Sequence, residues 1–112
     1  MELSNEEIRK AFGKVIRKYR LQQGMKQEEL EEKLGLSINY MSRIENGKSG
    51  LANNKLIKCM HILNITPNIL YKEVITDENL QKQIEISEKI SQMPSEKIDT
   101  LLEIIEILKK LK

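Results

Sequence analysis

Asn39 and Arg43 stand four residues apart within QEELEEKLGLSINYMSRIENGK, Gln27 to Lys48, a stretch that reads as two short helices joined by a turn. At that spacing an amide and a guanidinium share one face of a helix. An amide can pair with an adenine edge and a guanidinium fork with a guanine edge, so the chemistry on offer is recognition. Ile38, next to Asn39, is of a type that packs on a thymine methyl. The plainer alternative is a solvated helix face, with Arg43 on phosphate only and Ile38 a partly exposed apolar side chain. Cys59 and His61 form the other candidate pair, C-x-H. Two positions apart on a helix they point about 200° apart. The chain holds no further Cys or His, whereas zinc needs three or four ligands. No metal is expected, and Cys59 reads as a small core residue. There is no nucleophile–base–acid constellation and no phosphate-cradling glycine loop. Neither an enzyme nor a cofactor is expected.

Composition narrows the class. The 112 residues are 39% hydrophobic and 32% charged, the balance of a folded domain. Three Tyr, one Phe and no Trp leave an apolar content of mostly Ile and Leu. Two Pro and five Gly are too few for a turn-rich sandwich or barrel. No apolar run approaches the roughly 18–20 residues of a membrane span. The start, MELSNEEIRK, is polar and acidic where a signal peptide would be basic and then apolar. A single cysteine excludes an internal disulfide, and the cytoplasm is the expected compartment. The net charge of +2 hides an asymmetry: residues 1–72 hold 13 Lys/Arg against 8 Asp/Glu, residues 73–112 hold 6 against 9. A basic front suits a polyanion.

The elements that must position these residues are helices throughout. Ser4 and Glu7 form a capping box ahead of Ile8, Phe12, Val15, Ile16 and Tyr19. Gly24 can stop that helix. A second helix is expected at 27–34, with Leu30 and Leu34 inward and Gly35 reversing the backbone. Leu36 anchors the turn. Ser37 is expected to cap a third helix at 38–46, with Met41 and Ile44 inward. A fourth is expected at 54–63, with Leu56, Ile57, Met60 and Leu63 as core candidates and Asn64 as a left-handed stop. Thr66-Pro67 starts a short fifth helix. Thr76 or Asp77 caps a sixth at 78–91, Met93-Pro94 interrupts, and Ser95 caps a seventh at 96–111.

Two helices about a glycine turn, with Leu30, Leu34, Leu36, Met41 and Ile44 inward, are the pattern of a helix-turn-helix. From about Ile16 to Tyr71, through IRKYRLQQGMKQEEL, IENGK and ILNITPNILY, the chain resembles the phage-repressor/Cro-like regulators, the xenobiotic-response-element (XRE) family. The resemblance implies a five-helix lambda-repressor-like DNA-binding domain; the charge change near residues 73–77 puts its end at about 74, and in this all-α chain residues 75–112 are expected to follow as a C-terminal helical hairpin. It implies a sequence-specific transcriptional regulator, more often a repressor, acting as a dimer on a two-fold operator. It implies a phosphate contact for Gln27 and a structural salt bridge between Arg20 and Glu45. Base readout then falls to Ile38, Asn39 and Arg43. Ser37, Tyr40, Ser42, Asn46 and Lys48 fall to the DNA backbone, or to a solvated loop in the case of the last two. Arg9, Lys10, Lys14, Arg17 and Lys18 read as a solvated face adding long-range attraction. The chain departs from the family at Glu31, where alanine is usual, at Lys26, where a capping Ser or Thr is common, and at Leu51, where proline is frequent. The Glu31 stem is expected to run outward with its carboxylate in water, or else the two helices splay.

The seventh helix is too apolar for an ordinary surface helix. Ile98, Leu101, Leu102, Ile104, Ile105, Ile107, Leu108 and Leu111 cover more than half its circumference. The sixth helix, through Leu80, Ile84 and Ile90, can cover one side. A second copy can cover the other, with Ile98, Leu101, Leu102, Ile105, Leu108 and Leu111 as the dimer face. The alternatives are a tail that completes a monomeric core, or one that binds an antirepressor or toxin. In the rival reading the whole chain is a protein-interaction module, an antitoxin or an adaptor that sequesters another regulator.

Overall fold

A computed structural model describes residues 3–111. They form seven helices: α1 Asn5–Gln22, α2 Gln27–Leu34, α3 Tyr40–Glu45, α4 Asn53–Leu63, α5 Pro67–Leu70, α6 Glu78–Ser91 and α7 Ser95–Lys110. Among the described residues there is no strand. Among them, too, no helix is long and apolar enough to cross a membrane.

Local chemistry sets most helix ends. The Ser4 hydroxyl accepts the Glu7 N–H and the Glu7 carboxylate accepts the Ser4 N–H, both at 3.1 Å. Those bonds also hold the Glu7 carboxyl below its ordinary pKa. Gly35 (φ 68°) and Asn64 (φ 55°) close α2 and α4 in the left-handed region. The Thr66 and Asp77 side chains cap α5 and α6 by accepting the Ile69 and Leu80 N–H groups. At Lys26 no acceptor side chain is available; the Glu29 carboxylate takes the Lys26 N–H instead, at 3.4 Å.

Three starts or faces differ from expectation. The third helix begins at Tyr40, and Ser37 does not cap it with its side chain. Ser37 to Tyr40 instead form a turn: the Tyr40 N–H donates to the Ser37 carbonyl at 3.2 Å, and Asn39 sits at φ 69°, ψ 3°. These angles belong to the third position of a type II turn, which asparagine tolerates better than most residues. Ser95 is the first residue of α7 rather than its cap, which is Pro94. Ile57 is 52% exposed. Leu56, Met60 and Leu63, spaced by four and three, form the inward face of α4, and Ile57 lies about 100° off it.

The core joins α1 to α5. Ile16, Leu30, Leu34, Met41, Leu63 and Leu70 are almost fully buried, each stabilising the fold by about 1.5–3 kcal/mol. Cys59 lies among them, and burial pushes its thiol up to about 12, so it stays neutral and packs as an apolar group. Gly13 makes the closest approach. A Cβ there would stand 2.4 Å from the Ile44 carbonyl oxygen and 2.8 Å from that of Glu45. Glycine costs a helix interior about 1 kcal/mol, and here it lets α1 lie directly on the end of α3.

Beyond the core, α6 packs on α5. Ile84 is its one buried residue. Polar groups hold the same seam: Thr66 and Ser87 hydroxyls at 3.2 Å, the Lys72–Glu88 ion pair at 2.8 Å, and the Gln81 amide donating to the carbonyls of Lys72 and Ile75. Leu80, expected to cover α7, is exposed instead. Helix α7 buries no residue at all.

Candidate nucleic-acid interface

The turn before α3, α3 itself and the loop after it make one surface. Met41 and Ile44 face the core, which leaves Ser37, Ile38, Asn39 and Arg43 in solvent, Ile38 at 84% exposed. Asn39 and Ile38 stand in the turn and Arg43 in the helix. The three therefore share a solvent-facing ridge without sharing one helical register. The Arg43 Nε–H donates to the Ser49 hydroxyl at 3.0 Å, which steers the guanidinium along the loop side of the helix. Tyr40 donates its hydroxyl to the Gly50 carbonyl at 2.9 Å and the Asn46 amide donates to the Ser42 carbonyl at 2.8 Å. Lys48 is exposed.

A buried polar frame holds this surface at its angle. The Arg20 guanidinium grips the Glu45 carboxylate through two bonds of 2.7 and 2.9 Å and donates a third, of 2.7 Å, to the Met25 carbonyl. Both side chains are nearly excluded from water. The carboxylate raises the Arg20 pKa above its ordinary value. Gln27, at the start of α2, donates its amide to the same carboxylate at 3.0 Å. One carboxylate on α3 thus ties α1 to α2, and the Arg20 guanidinium it holds also binds the α1–α2 turn. Gln27 stands partly buried, with its amide N–H committed inward.

Glu31 is the correction of most consequence. It is 5% exposed, and its carboxylate accepts the Met41 N–H at 3.0 Å. The first N–H groups of a helix lack partners within it. The Asn39 side chain makes no capping bond, so an acceptor reaching across from α2 meets that need. The carboxylate therefore points to the helix, not to water. Glu31→Leu is expected to leave the Met41 N–H unpaired and cost about 1–3 kcal/mol. Glu31→Gln, which keeps an acceptor oxygen, should lose less. Urea unfolding midpoints check this, and equal midpoints for wild type and Glu31→Leu would remove the cap from the account.

The helix-turn-helix family's sequence model matches residues 16–70, which takes in α2, α3 and the ridge between them. A mutant of the restriction-modification controller protein C.Esp1396I is 30% identical, with 75% of this chain and 95% of that one aligned at a TM-score of 0.51. The chain belongs to the XRE/Cro-type helix-turn-helix family of transcriptional regulators. Two crystal structures of the clp gene regulator ClgR from Corynebacterium glutamicum are also similar. One is 28% identical over 56% of this chain and 82% of its own, with a TM-score of 0.52. The other covers 86% and 90% at 23% identity and a TM-score of 0.54, a likeness of fold. No curated protein sequence matches the chain. As a member of this family the chain is a DNA-binding transcriptional regulator.

Within the helix-turn-helix unit, two contributions escape sequence reasoning. Gly13 is a lone glycine in a helical pattern, which is a signal for close backbone approach. Its partner lies 31 positions away, at Ile44. The Lys55 ammonium, which donates to the Leu34 carbonyl at the end of α2, gives no local signal.

Proposed function

We propose that this regulator acts as a homodimeric repressor, each subunit laying α3 and the turn before it in a major groove. Residues 1–74 are the DNA-binding unit and residues 75–112 the dimerisation segment. The observation that carries this reading is the exposed ridge, Ile38, Asn39 and Arg43, held on a buried frame. Asn39 and Arg43 read base edges and Ile38 packs on a thymine methyl. Gln27 contacts a phosphate through the start of α2, its amide already turned to Glu45. Ser37, Tyr40, Ser42, Asn46 and Lys48 line the backbone on either side. Helix α7, with Leu102, Ile105, Leu108 and Leu111 exposed, supplies the dimer face together with half-buried Ile98 and Leu101. A two-fold dimer selects an inverted repeat whose half-site centres lie ~34 Å apart or a multiple of it.

Selection of bound sites from a random DNA pool tests the reading. An inverted repeat is the expected outcome. Arg43→Ala should then lower affinity for the selected site by about 1–3 kcal/mol and relax preference at one position per half-site. Equal loss on selected and random DNA would reduce Arg43 to a phosphate contact. The exposed apolar face of α7 also suits a different protein, an antirepressor or toxin. Self-association without any salt-sensitive DNA binding would move the function to that second reading.

A further inference from the structure

The first helix approaches the end of α3 twice through glycine. Gly13 lies under the Ile44 and Glu45 carbonyls, and Gly47 lies against Lys10. Gly47 has φ 75°, and a Cβ there would stand 2.4 Å from the Lys10 Cγ and 2.8 Å from its Cα. Arg9 runs beside the same loop, its Cδ 3.4 Å from where a Cβ on Gly50 would be. These approaches bring the first half of α1 to the loop that follows α3. Glu6, Arg9, Lys10, Arg43, Asn46 and Lys48 line one open pocket there, of about 470 Å³. Four cations meet one carboxylate. That carboxylate pairs loosely with Lys10 at 3.5 Å, both side chains largely in water. The Arg9 Nε is shielded from solvent and has no hydrogen-bond partner among the described residues.

We propose that this pocket holds one backbone phosphate of the bound DNA, with Arg9 and Lys10 of α1 closing on it beside Lys48. It rests on the DNA-binding reading above and extends the footprint beyond the bases that the ridge meets. The chemistry is that of a phosphodiester: a single negative charge with two acceptor oxygens, met by fixed guanidinium and mobile ammonium groups. Gly47 is the hinge of the arrangement, because any side chain there would push Lys10 away from the loop.

The test uses the full chain and its selected DNA site, with affinity measured by anisotropy over a range of salt. Arg9→Gln with Lys10→Gln should weaken selected and random DNA alike by about tenfold at moderate salt. The slope of log affinity against log salt should fall by about 0.9 per subunit, the share of one phosphate. Base preference should not change. Lys14→Gln with Lys18→Gln removes the same charge from the same helix away from this pocket, and it should leave the slope nearly unaltered. A methylphosphonate at the contacted position should weaken the wild type and have no further effect on the Arg9/Lys10 variant. Equal losses from the two double variants would overturn the pocket in favour of general attraction. An unchanged slope for the Arg9/Lys10 variant, with Lys48→Gln still lowering it, would also overturn the pocket while leaving the DNA-binding reading intact. Absence of salt-sensitive binding by the wild type would remove both.

Discussion

Arg20→Ala is expected to destabilise the fold by about 3–5 kcal/mol, a large share of the roughly 5–15 kcal/mol that holds an ordinary domain together. The truncation strands the Glu45 carboxylate in a site almost closed to water, with only the Gln27 amide left to it. It also leaves the Met25 carbonyl without the 2.7 Å bond it accepts from Arg20. At about 4 °C per kcal/mol for a chain of this size, the melting temperature should fall by roughly 12–20 °C. Replacing both partners, Arg20→Met with Glu45→Leu, should recover much of that loss, because no charge then remains buried alone. The double variant should nevertheless bind DNA poorly, since the carboxylate that joins α1, α2 and α3 is gone. Thermal and urea unfolding of the single and double variants check the pair. A loss below about 1 kcal/mol for Arg20→Ala would mean that water reaches the carboxylate and that the pair counts as a surface one.

If α7 forms the proposed dimer face, Ile105→Asp combined with Leu108→Asp is expected to leave a monomer and to lower affinity for an inverted-repeat site by roughly 10²–10⁴-fold, the advantage of linking two half-site contacts. Ile105 is 37% and Leu108 57% exposed within the single chain. The charges therefore enter no part of the chain's own core, and the melting curve of the isolated domain should change little. In a helix-to-helix interface they would face apolar side chains of the second copy, where an unpaired carboxylate is strongly disfavoured. Sedimentation gives the mass and anisotropy the affinity. An unchanged mass would rule out this face of α7 as the dimer contact, and a lost melting transition would place it in the core of one chain.

Helix by helix, much of the fold is legible in the amino-acid sequence. Ser4 with Glu7, Thr66 with Pro67, Asp77, Gly35 and Asn64 all act within four or five residues of themselves. Their bonds follow from local geometry, so the chain alone announces them. The bounds of α2 at Gln27–Leu34 follow in the same way. The inward set of Val15, Ile16, Leu30, Leu34, Met41 and Ile44 needs only the helical period and the assumption of a core. The candidate site is legible as a set of exposed polar residues, and its start is not. A helix running from residue 38 is the simple extension of the pattern. The structure closes a turn at Asn39 instead, because the acceptor for the next free N–H comes from Glu31. By residue type alone, Glu31 is out of place as a core neighbour of α3.

The sequence by itself therefore determined that this chain is a row of amphipathic helices carrying a helix-turn-helix, with an amide and a guanidinium on the segment that faces outward. Only the tertiary structure decided how that segment is held. Glu31 under α3, Gly13 and Gly47 at the crossing of α1, and Gln27 turned to Glu45 all depend on a partner far away in the chain. Caps and periodicities are set by covalent neighbours within one turn of helix. A buried carboxylate or a missing Cβ takes its meaning from whichever backbone the folded chain brings within about 3 Å, and no local pattern encodes that.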